Sequence, residues 1–288
     1  MIGTSPYESW TQRWARAVLA LFGVLFCVFL VGPILAFVPM AFNDVALLHY
    51  PIQHVSLRWF RGLIASPEWS RALLNSLLVA VGTTLLATAL GVSAALGLWR
   101  GRFAGRNLIM AIVMTPMIVP SVIGAASMYF AFVRVGLDYS YVGLILAHAA
   151  LAVPLVVVTV SAVLERFDGN FLRAAASLGA PPLLAFRRVT LPLILPGVLS
   201  GAVFAFAISF DDVVVALFIA GPDQRTLPVQ MYMRSSDLFD LVIAAAAAIM
   251  LVVAFLLMIF LLFLKRRERI TGGQAKPIAG DGQGGAAL

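Results

Sequence analysis

The chain has few of the residues on which disulfide-linked domains and metal sites depend. Of its 288 residues only Cys27 is a cysteine, and the only histidines are His49, His54 and His148. One cysteine excludes a disulfide framework and a cysteine-based metal site. A membrane enzyme would need His, Asp or Glu residues converging at one depth, and the three histidines do not form such a cluster. No catalytic constellation and no metal site is predicted.

Lysine is also scarce, since only Lys265 and Lys276 are present. A phosphate-binding loop that hydrolyses ATP has the pattern G-x-x-x-x-G-K-[ST], in which the lysine contacts the phosphates. Leu264 and Ala275 precede the two lysines where this pattern requires glycine. The motif is therefore excluded, no cofactor is expected in this chain, and any ATP must be hydrolysed by another chain.

Charged residues make up 11% of the chain and hydrophobic residues 62%, whereas soluble domains have about 25% charged and 45–50% apolar residues. A soluble core of this size cannot bury so much apolar surface. The net charge is +7, and the charged residues lie between long apolar runs. This distribution is typical of membrane proteins rather than of nucleic-acid-binding proteins. The sequence therefore predicts an all-α integral membrane protein.

Six apolar runs are long enough to cross a bilayer as helices, for which about 20 residues are needed. Continuous runs favour helices over a membrane barrel, whose strands show short alternating segments. The first run is too long for the apolar part of a signal peptide, so we interpret it as an anchor. Prolines within the runs predict kinks, which neighbouring helices can accommodate. The predicted spans are 18–42, 73–99, 108–133, 142–164, 196–220 and 241–264.

Basic residues predict the orientation, because they are enriched on the cytoplasmic side. Fourteen lie in the N-terminus, the second and fourth loops and the tail, and six lie on the opposite side. Both termini are therefore predicted to be cytoplasmic. The predicted regions are an N-terminus (1–17), a transmembrane domain (18–264) with a cytoplasmic loop at 165–192, and a disordered tail (265–288).

The first external loop, 43–71, mixes apolar residues and arginines. Its apolar residues include Trp59 and Phe60, and aromatic side chains are common at the depth of the lipid headgroups. This loop is predicted to contain a helix lying at the membrane interface.

The predicted cytoplasmic loop contains small residues, Ala174 to Ala176, just before a predicted helix end at Gly179. Residues 170–178 favour a short helix that Gly179 ends, because glycine readily adopts the left-handed cap conformation. Pro181 and Pro182 then predict a turn, followed by a second short helix at 183–189. Such a segment suits docking to another protein, and the alternative is an ordinary connector.

This loop resembles the E-A-A-x3-G-x9-I-x-L-P motif of ABC importer permeases. The matching residues are Ala174, Ala175, Gly179, Leu191 and Pro192, with Val189 in place of the isoleucine and Arg173 in place of the glutamate. Two further stretches resemble corresponding stretches of the family, Asn75-Ser76-Leu77 and Pro116 to Pro120. Three later ones are similar to its spermidine/putrescine permease branch: Ser209-Phe210-Asp211-Asp212, Gly221-Pro222 and Thr226-Leu227-Pro228.

The resemblance implies a type I ABC importer permease in the bacterial inner membrane. It implies as partners a second permease subunit, two ATPase subunits that bind ATP and Mg²⁺, and a periplasmic or lipid-anchored solute-binding protein. It also implies that residues 173–175, 179, 191 and 192 form the ATPase-docking loop. Arg173 reverses the charge of the motif glutamate, so the partner ATPase is expected to supply a compensating acid.

Asp211 and Asp212 are consecutive acids inside the predicted fifth span. Because a charge near the bilayer centre costs at least about 2.5–3.5 kcal/mol, such a pair needs water, a cation or a protein partner. Asp211 would lie about 22 Å along the span from Pro196. Neighbouring helical residues point about 100° apart, so only one of the two is expected to line the pathway.

We interpret the pair, with Ser209 and Phe210, as a substrate pathway for a small cation of the polyamine type, since carboxylates bind ammonium groups. The alternative is a structural pair bonded to Ser209 or a neighbouring helix. His148 is expected to make an interhelical hydrogen bond. A secondary transporter or channel that uses the acids for ion coupling stays an alternative function, and inverted repeats or broken helices would support it.

Overall fold

The computed structural model describes residues 10–44, 54–101, 103–235 and 241–272, and these are helical with no extended strand. The all-α prediction is confirmed. In chain order the helices are α1 (Trp10–Phe37), α2 (Arg58–Ala65), α3 (Pro67–Arg100), α4 (Arg106–Ile118), α5 (Ser121–Val135), α6 (Tyr141–Leu164), α7 (Asn170–Ser177), α8 (Pro182–Ala185), α9 (Leu191–Asp211), α10 (Val214–Ile219), α11 (Leu227–Arg234) and α12 (Val242–Gly272). Short 3₁₀ turns cover Val38–Phe42 and Pro222–Gln224.

Five of these helical segments are long and apolar enough to cross a membrane, and α4 with α5 makes a sixth if the bent pair is one span. The five are Arg13–Gly32, Pro67–Arg100, Tyr141–Leu164, Pro182–Asp211 and Val242–Leu264. Their apolar side chains face outward to a large extent, as expected for helices that lipid or a partner subunit covers. The predicted number of spans agrees with this count.

The chain divides into two compact units. The first consists of Met1–Ser70 and Met233–Leu251. Within it Ala41, Ala244 and Ala248 form a small core with the rings of Phe42 and Phe60. The interfacial helix predicted within loop 43–71 corresponds to α2, in which Leu63 is buried and Ile64 is exposed. Residues 45–53 of that loop lie outside the described part of the chain.

The second unit consists of Arg71–Tyr232 and Val252–Leu288, and α6 lies at its centre. One end of α6 packs with α3, α4 and α9 around Val156 and Val160. The other end packs with α3, α5 and α10 around Leu144 and Ala147. Because α6 is apolar on all sides, it suits this central position.

The predicted third span, 108–133, is sharply bent rather than kinked. Its two halves, α4 and α5, meet at an angle of 106°. Val119 is extended and Pro120 begins the second half. Proline lacks an N–H and disfavours a helical conformation in the residue before it, so α4 ends at Ile118, ahead of Val119 and Pro120. Pro116, in contrast, lies inside α4.

The predicted fifth span, 196–220, is wrong at both ends. Helix begins at Pro182 and passes without a loop through a π-helical turn at Phe186–Thr190 into α9. In this turn the N–H of Leu191 bonds to the carbonyl of Phe186. The wider turn changes the backbone hydrogen bonding from four to five residues of separation just before Pro192. Pro192 itself has no N–H to donate. At the other end α9 stops at Asp211, and α10 starts at Val214.

The tail was predicted to be disordered from residue 265 onward. This boundary is wrong, because α12 continues to Gly272. Residues 273–288 lie outside the described part of the chain, and so do residues 1–9 of the predicted N-terminus.

Candidate solute pathway and docking segment

The two adjacent acids lie at a break in the helix rather than inside it. Asp211 is the last residue of α9, and Asp212 is extended, with φ −71° and ψ 128°. The Asp212 carboxylate accepts a hydrogen bond from the N–H of Ala216, at 3.0 Å. This bond satisfies one of the free N–H groups at the start of α10 and places a negative charge at the positive end of its dipole. Asp212 therefore stabilises the start of α10 and with it the break between α9 and α10.

The two carboxylates have different surroundings. Asp211 is exposed, whereas the Asp212 side chain is 14% exposed and its Oδ2 lies 3.5 Å from Nε2 of His148. The expectation that only one of the two acids lines the pathway rests on their angular separation along a helix, whereas the structure separates their surroundings in another way. They differ because the helix ends between them, and not because they are 100° apart on one continuous helix.

His148 connects the helix break to the interior of the second unit. It is fully buried on α6, and its Nδ1 lies 2.8 Å from Oγ of Ser209 on α9. Ser209 Oγ also lies 3.3 Å from Oγ1 of Thr83 on α3, within hydrogen-bonding distance. The expected interhelical hydrogen bond of His148 is thus present. The network joins α3, α6 and α9 at the level of the break.

The other two predicted pathway residues face inward. Ser209 is 2% exposed and bonds to His148 and Thr83 rather than to an acid. Phe210 is also buried, and its ring stacks on Phe206 with 5.5 Å between the centroids. Of the four predicted pathway residues, Asp211 is the one that is open to its surroundings.

The predicted docking segment has the expected helix and glycine cap. α7 is followed by Gly179 at φ +76°, in the left-handed region. The N–H of Gly179 bonds to the carbonyl of Ala176 at 2.9 Å, and that of Ala180 bonds to the carbonyl of Ala175 at 3.0 Å. These two bonds define a Schellman motif, which glycine stabilises at this position.

The start of α7 carries a small polar cluster. The Asp168 carboxylate accepts hydrogen bonds from the backbone N–H of Asn170 at 2.9 Å and from its side-chain amide at 3.1 Å. The backbone bond, then the side-chain bond, lowers the pKa of Asp168 below its ordinary value. Arg173, which replaces the motif glutamate, is exposed and donates to the side-chain oxygen of Asn170. Asp168 thus supplies a negative charge near the helix start, where the arginine is unfavourable for the dipole.

The motif residues divide between two parts of the structure. Arg173 and Ala174 are exposed on α7, and Ala175 is half-buried. Leu191 and Pro192 lie at the start of α9, beyond the π-helical turn against which α7 packs. The segment also exposes apolar side chains that were not predicted as site residues, including Phe171, Leu178 and Leu183.

Sequence reasoning missed a close contact between α6 and α9. A Cβ at Gly201 would lie 2.7 Å from Oγ1 of Thr159 and 3.1 Å from Cα of Val156. A Cβ at Gly197 would lie 2.8 Å from the Val163 side chain and 3.0 Å from a backbone oxygen. Gly197 and Gly201 form a G-x-x-x-G pattern, which lets membrane helices approach closely. That pattern was the available signal.

Comparison with known proteins identifies the family. Residues 87–270 match the family model described as "Binding-protein-dependent transport system inner membrane component". The chain belongs to this family. It is an inner-membrane permease subunit of an ABC importer, in which the ATPase is a separate component. Permeases of this family work with an ATPase and a periplasmic binding protein, so family membership sets aside the secondary-transporter and channel alternatives.

The curated relatives include permeases for different solutes. The chain is 34% identical over 177 residues to the spermidine/putrescine permease PotC of Haemophilus influenzae, covering 62% of this chain and 69% of the relative. It is 34% identical over 224 residues to the putrescine permease PotI of Escherichia coli, covering 75% and 78%. It is also 32% identical over 213 residues to the molybdenum permease ModB of Mycobacterium bovis, covering 67% and 81%.

Solved structures share the fold. A bacterial ABC transporter that imports the acidic polysaccharide alginate matches with a TM-score of 0.71 at 16% identity, over 91% of this chain and 99% of the other. An amino acid ABC transporter matches with a TM-score of 0.55 at 17% identity, over 73% and 98%. The type I importer permease fold predicted from the sequence is thereby confirmed.

Proposed function

We propose that this chain is the permease subunit of an ATP-driven importer for a small organic cation of the spermidine/putrescine type. The observation that carries the proposal is the exposed carboxylate of Asp211 at the α9–α10 break. A carboxylate attracts an ammonium group through charge-assisted hydrogen bonds. The same charge repels an oxyanion such as molybdate, so it favours the PotC and PotI comparison over the comparison with ModB.

The importer we propose contains this chain, a second permease subunit, two ATPase subunits that bind ATP and Mg²⁺, and an external solute-binding protein. The two permeases would enclose the pathway, with Asp211 facing the solute. The docking loop, residues 165–192, would contact an ATPase on the cytoplasmic side. Arg173 has an exposed guanidinium there, so we expect an acidic side chain on the ATPase surface that receives α7.

The test is uptake of radiolabelled putrescine by proteoliposomes that contain the assembled complex. We expect uptake to require ATP and the binding protein, to be inhibited by excess spermidine and to be insensitive to molybdate. Vesicles that contain this chain alone should take up nothing. Inhibition by molybdate but not by spermidine would contradict the cation assignment. Uptake by the chain alone that ionophores abolish and ATP does not affect would contradict the importer assignment.

A further inference from the structure

We infer that His148 is a positioning residue for the pathway: it holds the Asp212 carboxylate inside the chain, so that Asp211 is the carboxylate that meets the solute. This inference rests on the proposed function, because it concerns the same pair of acids. It adds a role for a buried residue on a different helix, and it states which of the two acids carries the charge of the pathway.

The first support is the burial of the imidazole. His148 is completely buried, and its Nδ1 is engaged by Ser209 Oγ at 2.8 Å. Among the described residues its Nε2 makes no hydrogen bond of good geometry, and Asp212 Oδ2 lies 3.5 Å away. A buried polar atom without a partner is unfavourable by about 1–3 kcal/mol. With its proton on Nε2, the imidazole accepts at Nδ1 from Ser209 Oγ and donates toward Asp212 Oδ2. Nε2–H therefore favours positions of Asp212 on the inner side of the break.

The second support is that Asp212 is held from two directions. Its Oδ2 accepts from the N–H of Ala216 and faces the ring of His148. Asp211, one residue earlier, is exposed and has no such anchor among the bonds of the described chain. Without His148 the Asp212 carboxylate would keep only its hydrogen bond from Ala216, and its side chain could turn outward beside Asp211. The pathway would then present two negative charges instead of one.

The test measures charge beside Asp211 and needs no transported solute. In the full complex, Cys27→Ala removes the only natural thiol of this chain, and Asp211→Cys places a thiol at the pathway. The readout is the ratio of modification rates by a cationic and an anionic methanethiosulfonate of similar size. A nearby carboxylate attracts the first reagent and repels the second, so the ratio reports whether Asp212 has turned outward.

Two substitutions of His148 separate the inferred role from a purely structural one. His148→Gln places an amide near the position of Nε2 and keeps a donor toward Asp212. His148→Asn places an amide near Nδ1 and keeps only the contact with Ser209. We expect His148→Asn to raise the cationic-to-anionic ratio by at least about twofold, the size of an exposed ion-pair effect. We expect His148→Gln to retain the ratio seen with histidine.

Asp212→Asn provides the matched control. Added to His148→Asn, it should return the ratio to its starting value, because the carboxylate responsible is gone. Added to the background with His148 intact, it should leave the ratio nearly unchanged, because Asp212 already faces inward. This second arm does not depend on whether His148 variants assemble.

The inference is overturned if Asp212→Asn alone lowers the ratio at least as much as it does in the His148→Asn background. It is also overturned if His148→Gln and His148→Asn raise the ratio equally. Failure of the complex to transport putrescine would count against the proposed function without changing these thiol measurements. The two claims can therefore fail separately.

Discussion

Asn75 on α3 donates from its side-chain amide to the carbonyl oxygen of Asp223, at 2.8 Å, and thereby holds the loop between α10 and α11. The same amide donates to the carbonyl of Arg225 at 2.9 Å, and its oxygen accepts from the hydroxyl of Tyr141 at 2.8 Å. Next to it, Ser76 Oγ accepts from the N–H of Leu227 at 2.7 Å. The Asn75-Ser76 pair thus fixes the loop 221–226.

We expect Asn75→Ala to loosen this loop, because the carbonyl of Arg225 would lose the donor that Asn75 supplies, whereas the carbonyl of Asp223 would keep the hydroxyl of Tyr141 at 3.2 Å. Each unsatisfied buried group costs about 1–3 kcal/mol. The measurement is the rate of tryptic cleavage after Arg225 in the purified complex, which should rise clearly. Tyr141→Phe removes one hydroxyl and should have a smaller effect. Equal rates of cleavage in the wild type and in Asn75→Ala would show that the Asn75-Ser76 pair does not hold the loop.

Gly201 allows α9 to lie against α6, so Gly201→Ala should destabilise the complex. The added Cβ would meet Thr159 and Val156 at 2.7–3.1 Å, and such overpacking costs about 1–3 kcal/mol. Gly97→Ala on α3 is the matched control, because nothing lies within 4 Å of a Cβ there. Alanine at that position should be neutral or stabilising by about 0.5–1 kcal/mol. Thermal unfolding midpoints that fall by the same amount for both variants would contradict the packing argument.

Gly179→Val should uncouple ATP hydrolysis from transport while the chain still inserts. Open space surrounds the glycine, so the strain comes from its φ of +76°, which a β-branched residue rarely adopts. Gly179→Asn is the control, since asparagine tolerates this conformation better. We expect the ratio of solute transported to ATP hydrolysed to fall for valine and to be largely retained for asparagine. A ratio near wild type for Gly179→Val would mean that the segment is only a connector.

The hydrogen bonds from Asn170 lower the pKa of Asp168 from an ordinary value of 3.8. A lowered pKa means that the charged carboxylate stabilises the start of α7 above about pH 4, and that this contribution is lost as the pH falls through the lowered pKa. Amide protection of residues 170–173, corrected for intrinsic exchange, should therefore be constant from about pH 8 to pH 5. Asp168→Asn should reduce protection throughout this range. Protection that declines between pH 8 and pH 5 in the wild type would contradict this role.

The sequence predicted most of the fold because long apolar runs and small-residue motifs are local signals. The span at 142–164 and the glycine cap at Gly179 follow directly from composition and conformational preference. The break after Asp211 could not be predicted in this way, since residues 213–220 are as apolar as a continuing helix. The break depends on Asp212 bonding to Ala216 and facing His148, which is 64 positions away in sequence numbering.

The candidate site was likewise predicted in part. Its acids can be identified from the sequence because charged residues inside an apolar run are rare. Their unequal exposure, in contrast, depends on tertiary contacts. The sequence places Ser209 beside the acids and so among the predicted pathway residues, whereas packing against α6 turns it toward His148. Asn75 belongs to a stretch that resembles the family, but its role follows from hydrogen bonds to a loop about 150 residues later in the chain.

The most direct test of the central claim is radiolabelled putrescine uptake by the reconstituted complex with Asp211→Asn, normalised to assembled protein. Asparagine keeps the volume and removes the charge. Because we expect the pathway at Asp211 to be partly hydrated, the expected loss of uptake lies between that of an exposed ion pair and that of a desolvated one, about tenfold to a hundredfold. Binding of putrescine to the external protein should not change. Asp212→Asn should instead lower mainly expression or assembly, through its contacts with Ala216 and His148. Wild-type uptake per assembled complex for Asp211→Asn and for the double variant would contradict the claim that Asp211 receives a cation.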